Sequence, residues 1–156
     1  MLKPTLLLSA ILISGCTLLQ PPPAPTKRER IDPVGGAPVI GPYSPGIKVG
    51  NTLFCSGQLA INPETGDLII GDIKEETRQA LKNLGAVLQA AGMDYKDVAK
   101  TTVFLLDMND FKLYNEAYSE FFPEGSNPPA RETVQVARLP RDGRIEISCI
   151  AIKTEE

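Results

Sequence analysis

The stretch "DIKEETRQALKNLGAVLQAAGMDYKDVAKTTVFLLD", residues 72–107, joins a helix to a buried strand and decides the fold class. Ile73, Thr77, Ala80, Leu81, Leu84, Val87, Leu88 and Ala91 recur at helical spacing on one face. Lys74, Arg78, Lys82 and Gln89 take the opposite, wet face. Asp72 supplies an N-cap oxygen, Glu75 follows three residues later as in a capping box, and Gly92 ends the helix. From Val98, "VAKTTVFLLD" is rich in β-branched and aromatic residues, which suits a buried strand.

Toward the N-terminus, "GNTLFCSGQLAINPETGDLIIGD" (50–72) predicts a strand over Thr52–Ser56, continued by Leu59–Ile61. "NPETG" then turns the chain into a short return strand, Asp67–Ile70. Toward the C-terminus, Asp107 or Asn109 caps a second helix that carries Phe111, Tyr114, Tyr118, Phe121 and Phe122. "PEGSNPPA" (123–130) is a loop, and two strands follow, Thr133–Val136 and Ile145–Ile152, joined across "RLPRDG". The order β-β-α-β-α-β-β gives an α+β domain with two helices packed on one face of a mixed sheet. No internal repeat is visible.

Composition removes whole classes of chemistry. The chain has no histidine, which excludes a Ser-His-Asp triad, a Cys-His pair and any His-ligated metal site. Acid–base work falls to Asp, Glu, Tyr, Lys or Cys. Sixteen Lys and Arg against nineteen Asp and Glu give a net charge of −3 with no basic stripe, so no nucleic-acid partner is expected. Inside the domain, Cys55 and Cys149 both sit in strand-like apolar runs, and two separate buried thiols are favoured over a disulfide.

Two charged residues fall where strands predict burial. In "RIEISCIAIK", Ile145, Ile147, Cys149 and Ala151 share an apolar face that meets the helices, while Glu146, Ser148, Ile150 and Ile152 share the other. A face mixing Glu146 with two isoleucines needs a covering surface, either a second subunit or a ligand. Arg131, after Pro128-Pro129-Ala130, starts a strand and offers a planar fork for a carboxylate. Glu146 activates a water if burial raises its pKa. Together they suggest hydrolysis of a small carboxylate-bearing molecule; the plainer alternative is that they pair with each other or with their neighbours.

The first residues read differently from the rest. Lys3 precedes an apolar block from Leu6 to Ile13, too short to span a bilayer and of the length of a secretory signal. "ISGC" (13–16) resembles the lipobox of bacterial lipoproteins, which implies cleavage before Cys16 and lipidation of its sulfur. Residues 1–15 are then a signal peptide and 16–33 a lipidated, proline-rich spacer with Pro21, Pro22, Pro23 and Pro25, leaving 34–156 as the domain. This places the protein in the bacterial cell envelope, lipid-anchored on the periplasmic side. The absence of an Asp after Cys16 favours the outer over the inner membrane.

"GPYSPGIKVGNTLFCSGQLAINPETG" (41–66), "KTTVFLLDMNDFKLYNEAYSEFF" (100–122) and "PPARETVQVARLPRDGRIEISCIAIK" (128–153) together resemble the Rid, or YjgF-type, family of enamine and imine deaminases. The resemblance spans about residues 34–153. It implies a chorismate-mutase-like fold, a homotrimer with sites between subunits, and no metal or other cofactor. It implies that Arg131 holds the substrate carboxylate, that Glu146 works with a water, and that Tyr43, Ser56 and Asn115 line the pocket. The expected substrates are 2-aminoacrylate and 2-iminopropionate-type acids, hydrolysed to 2-oxo acids and ammonia. Two alternatives stand beside this: a Rid scaffold that binds a small 2-oxo or amino acid without turnover, and an RNA-cleaving or protein-protective role. Two departures bear on activity. Glu132 follows Arg131 where a small or apolar residue is usual, and alternation points it to the other face; Thr133 stands where some members carry Cys.

Overall fold

A computed structural model describes residues 26–154. Cys16, the apolar block and the prolines through Pro25 lie outside the described residues. The elements are β1 (Arg28–Ile31), β2 (Gly46–Val49), β3 (Thr52–Gln58), α1 (Ile73–Ala90), β4 (Val98–Leu105), α2 (Phe111–Tyr118), β5 (Ala130–Gln135) and β6 (Ile145–Ile152). They build one six-stranded sheet in the order β1-β2-β3-β6-β4-β5, antiparallel except for the parallel β4–β5 pair. The sheet is therefore mixed, and α1 and α2 lie on one face of it, as the sequence predicts.

The expected apolar stripe of α1 is buried throughout, from Ile73 to Ala91. Asp72 Oδ1 accepts the Glu75 N–H at 2.9 Å, and Gly92, at φ 72°, closes the C-terminus while Met93 N–H reaches back to Leu88 O. From the sheet, Leu53 and Cys55 of β3, Val103 and Leu105 of β4, and Ile145, Ile147, Cys149 and Ala151 of β6 complete one core. The opposite face of the sheet stays open: Phe54, Val134 and Ile152 are exposed there, in the same rows as Glu146 and Ile150.

The sequence expectation misses two strands and overstates a third. β1 lies in the stretch read as spacer; "RERI" is charged and three of its four residues are exposed, as befits an edge strand with no apolar face to announce it. β2, "GIKV", is too short and too close to Pro45 to stand out. The return strand Asp67–Ile70 shrinks to a single bridge, Ile61 to Leu68, flanked by the bonds Asn62 N–H to Asp67 O and Ile69 N–H to Ala60 O. α2 is also shorter than its aromatic pattern. Asp107 caps a short 3-10 turn, Met108–Asp110, and the α-helix stops at Tyr118, so Phe121 and Phe122 pack from the following turn.

Cys55 and Cys149 are free thiols facing each other directly across β3 and β6, both buried. A hydrogen bond between them, with burial, pushes the Cys149 thiol far up, so it stays protonated. This agrees with the expectation of two separate thiols, although they are neighbours.

Candidate functional site

Two clefts hold the candidate residues. The first, about 200 Å³, is lined by Ile40, Tyr43, Ser56, Gly57, Leu59, Pro140 and Glu146. The second, about 510 Å³, is lined by Asn115, Tyr118, Ser119, Phe122, Glu124, Pro128, Pro129 and Arg131. Tyr43, Ser56 and Glu146 thus converge, and Asn115 and Arg131 converge, but the two groups do not meet. The reason is strand alternation. Arg131 stands in register with Thr101, a fully buried residue of the helix-covered face. Glu146 stands in register with Phe104 on the open face. Within one chain the Arg and the Glu occupy opposite sides of the sheet, so they do not pair with each other.

The first cleft is shaped by a β-bulge. The β3–β6 register shifts between Cys55 and Gln58, and the residues in that shift are Ser56 and Gly57. Ser56 N–H bonds Pro45 O at 2.9 Å and its Oγ donates to Ser44 O at 2.7 Å, which ties the Tyr43 loop to β3. Gly57 is required by Glu146: a Cβ there would overlap Oε1 and sit 2.6 Å from Cδ and 2.8 Å from Cγ. The carboxylate therefore lies flat on bare backbone. Half-burial pushes the Glu146 carboxyl above its usual range, and no side chain among the described residues offers it a counter-charge.

The start of β6 is anchored from below. The buried Glu76 carboxylate accepts the Arg144 backbone N–H at 3.2 Å, and the Arg144 guanidinium reaches Asp110 at 2.7 Å and Gly71 O at 3.3 Å. Burial raises the Glu76 carboxyl despite that company. Arg144 is two residues from Glu146, so this knot fixes where the strand begins and which way Glu146 faces.

In the second cleft Arg131 has no carboxylate partner among the described residues. Its guanidinium carbon instead lies 4.6 Å from the Tyr118 ring centroid and 5.3 Å from that of Tyr114. Asn115 sits between those tyrosines on α2, half-buried, at the rim of the same cleft. Glu132 faces the other way, as alternation predicts: it bonds Thr102 Oγ1 at 2.8 Å and pairs with Lys100 at 3.0 Å. It leaves the Arg131 positive charge uncompensated. Thr133 returns to the Arg131 face and bonds the Tyr114 hydroxyl at 2.6 Å.

Sequence reasoning missed the wall formed by Pro140 and the two tyrosines beneath Arg131. The i, i+4 pair Tyr114 and Tyr118 was visible as a helix face, and only the parallel pairing of β4 with β5 brings an arginine onto it.

Comparison with known proteins places this geometry. The family profile described as Endoribonuclease L-PSP matches residues 35–153. The RutC family protein of Pyrococcus horikoshii is 55% identical over 114 residues, 73% of this chain and 89% of that protein. Human 2-iminobutanoate/2-iminopropanoate deaminase is 50% identical over 114 residues, 73% of this chain and 82% of that protein. Among solved structures, Escherichia coli TdcF with bound serine superposes with a TM-score of 0.76 at 41% identity, covering 81% of this chain and 99% of that one. Both clefts fall inside the matched span, and the chain belongs to the Rid (YjgF) family, whose profile bears the name Endoribonuclease L-PSP.

Proposed function

We propose that the protein hydrolyses 2-imino acids and their 2-enamine tautomers, of the 2-iminopropionate and 2-aminoacrylate type, to 2-oxo acids and ammonia. The observation that carries this reading is the division of the residues: an arginine with no ion-pair partner among the described residues, beside Asn115, in one cleft, and a half-buried carboxylate with Tyr43 and Ser56 in the other. The names of relatives near half identity, deaminases of 2-iminobutanoate and 2-iminopropanoate, support it.

Arg131 binds the substrate carboxylate through its fork and turns an encounter into an oriented complex. The protonated imine carbon is already electrophilic. Glu146 holds a water against it and accepts a proton as the C–O bond forms. The carbinolamine then loses ammonia, leaving the 2-oxo acid. Burial raises the affinity of Glu146 for a proton, which suits a group that accepts one from water.

Opposite faces of one sheet cannot serve one small substrate, so the complete site joins the Arg131 cleft of one chain to the Glu146 cleft of another. The exposed Phe54, Val134 and Ile152 on the open face support such an assembly, and the family resemblance makes the proposed assembly a homotrimer with three equal sites. We also infer from the sequence that Cys16 carries lipid and that the following prolines hold the domain off a periplasmic membrane surface.

The test uses protein lacking residues 1–16 and 2-iminopropionate generated by an amino-acid oxidase. Wild type should accelerate loss of the imine, Arg131→Ala should remove the acceleration at low substrate by raising KM, and Glu146→Gln should abolish it. The two variants, refolded as a mixture, should regain a fraction of wild-type rate. No acceleration by wild type refutes the enzyme reading, and saturable pyruvate binding would then favour a non-catalytic carboxylate binder. Absence of recovery in the mixture, or a sedimentation mass of one chain, refutes the shared site.

A further inference from the structure

Arg131 is exposed, lies on an edge strand and forms no ion pair among the described residues, although Glu124 lines the same cleft. A long, charged side chain in that position would ordinarily sample many rotamers in water. What confines it is aromatic. Tyr118 and Tyr114, one turn apart on α2, are 5% and 0% exposed, and both lie within cation–π distance of the guanidinium. The two rings are themselves fixed. Tyr118 Oη bonds Thr101 Oγ1 at 2.7 Å, and Tyr114 Oη bonds Thr133 Oγ1 at 2.6 Å. Thr101 is the direct register partner of Arg131 on β4, and Thr133 is the next residue along β5 on the same face. The arginine therefore stands between two threonines, each clamping one tyrosine against it.

We propose that Tyr114 and Tyr118 are positioning residues for carboxylate capture: a clamped aromatic seat that holds the Arg131 guanidinium in place and leaves its N–H groups for the ligand. The inference rests on the reading of Arg131 as the carboxylate-binding residue. The seat does two things an acidic partner cannot. It confines the cation without forming a salt bridge that a substrate would have to break, and it leaves the full positive charge for the incoming anion. Burial raises the proton affinity of both phenols, so they remain neutral rings and do not become competing anions beside the arginine. Glu132, the nearest carboxylate in sequence, is turned to the other face and occupied by Lys100 and Thr102. The seat thus accounts for how an arginine flanked by a glutamate keeps its charge free.

The test separates a ring that tunes the arginine from a ring that only fills the core. In the full chain, Tyr118 is replaced by Phe and, with the same shape, by pentafluorophenylalanine, whose ring quadrupole is reversed. Each variant is assayed for KM and kcat with 2-iminopropionate, and for inhibition by pyruvate and by its uncharged amide. Tyr118→Phe keeps the ring and should leave KM within about twofold. The fluorinated ring should raise KM and the pyruvate inhibition constant together by about twofold to fivefold relative to Phe. It should leave kcat and inhibition by the amide unchanged. Tyr114→Leu should show the same pattern, with Arg131→Ala as the limit. If Arg131→Ala raises KM while the fluorinated ring changes nothing, the seat is overturned and Arg131 stands. If Arg131→Ala itself leaves KM and pyruvate inhibition unchanged, the carboxylate reading fails and the seat with it. Equal losses toward pyruvate and its amide would mark the rings as structural only and overturn the proposal.

Discussion

Gly57→Ala tests the geometry of the Glu146 cleft with a single methyl group. Gly57 is not one of the glycines at positive φ, so alanine meets no backbone penalty there. The cost falls on Glu146 alone. An added Cβ would lie 2.6 Å from Cδ, whereas ordinary contact begins near 3.4 Å, so the carboxyl carbon must retreat by about 0.8 Å or more. A displacement of about 1 Å at a reacting group costs on the order of 100-fold in rate, or roughly 2.7 kcal/mol of barrier. Glu146 is half-buried rather than locked in the core, so it can swing toward solvent and the fold survives. Gly→Ala in an allowed conformation adds roughly 0.4–1 kcal/mol by restricting the unfolded chain, which offsets any small loss of packing. The expected outcome is a kcat about 100-fold below wild type in the imine-loss assay, with a melting temperature within a few degrees. Because the methyl acts through Glu146, Gly57→Ala combined with Glu146→Gln should be no slower than Glu146→Gln alone. Wild-type kcat in Gly57→Ala, or additive losses in the double variant, would refute the placement of Glu146 as the working carboxylate.

Three further outcomes follow from the same coordinates. Glu132→Ala should leave KM for 2-iminopropionate within about twofold, since that carboxylate serves Lys100 and Thr102 on the far face; a large fall in KM would mean it had been competing for Arg131. Burial raises the Glu146 pKa above the usual carboxylate range, so the folded state favours the protonated form, and that contribution is lost as pH rises through the raised value. Glu146→Gln should therefore melt higher than wild type at pH 7, and calorimetry should find the gap closing toward pH 4; a gap that widens on acidification would contradict the sign. Finally, Cys55 and Cys149 should resist a thiol reagent in the native domain and react as two equivalents after denaturation; rapid native reaction would show that β3 and β6 are not packed as described.

The features that could be read from sequence are those in which one element carries its own signal. α1 announces itself through period, cap and glycine stop, and β6 through strict alternation, which assigned Glu146 to the open face; alternation along β5 likewise turned Glu132 away from Arg131. The features that could not be read depend on pairing. β1 is legible only beside β2, because its side chains are charged and its stability comes from backbone bonds to a neighbour. The separation of Arg131 from Glu146 follows from β5 joining the sheet parallel to β4, a choice of register that no local pattern encodes. The same holds for the tyrosines under Arg131. They satisfy a helix's apolar face, and their second role exists only because another strand starts beneath them.

The sheet order has a consequence for how the chain comes into being. β6 is last in sequence but lies between β3 and β4, and it carries both Glu146 and the core residues Ile145, Ile147, Cys149 and Ala151. Synthesis delivers a chain from its N-terminus, so every earlier element waits on the final strand before the sheet can close. Nothing folds to completion until Ile152 has emerged. Loss of β6, Ile145–Ile152, would leave not a frayed edge but two half-sheets with no seam between them.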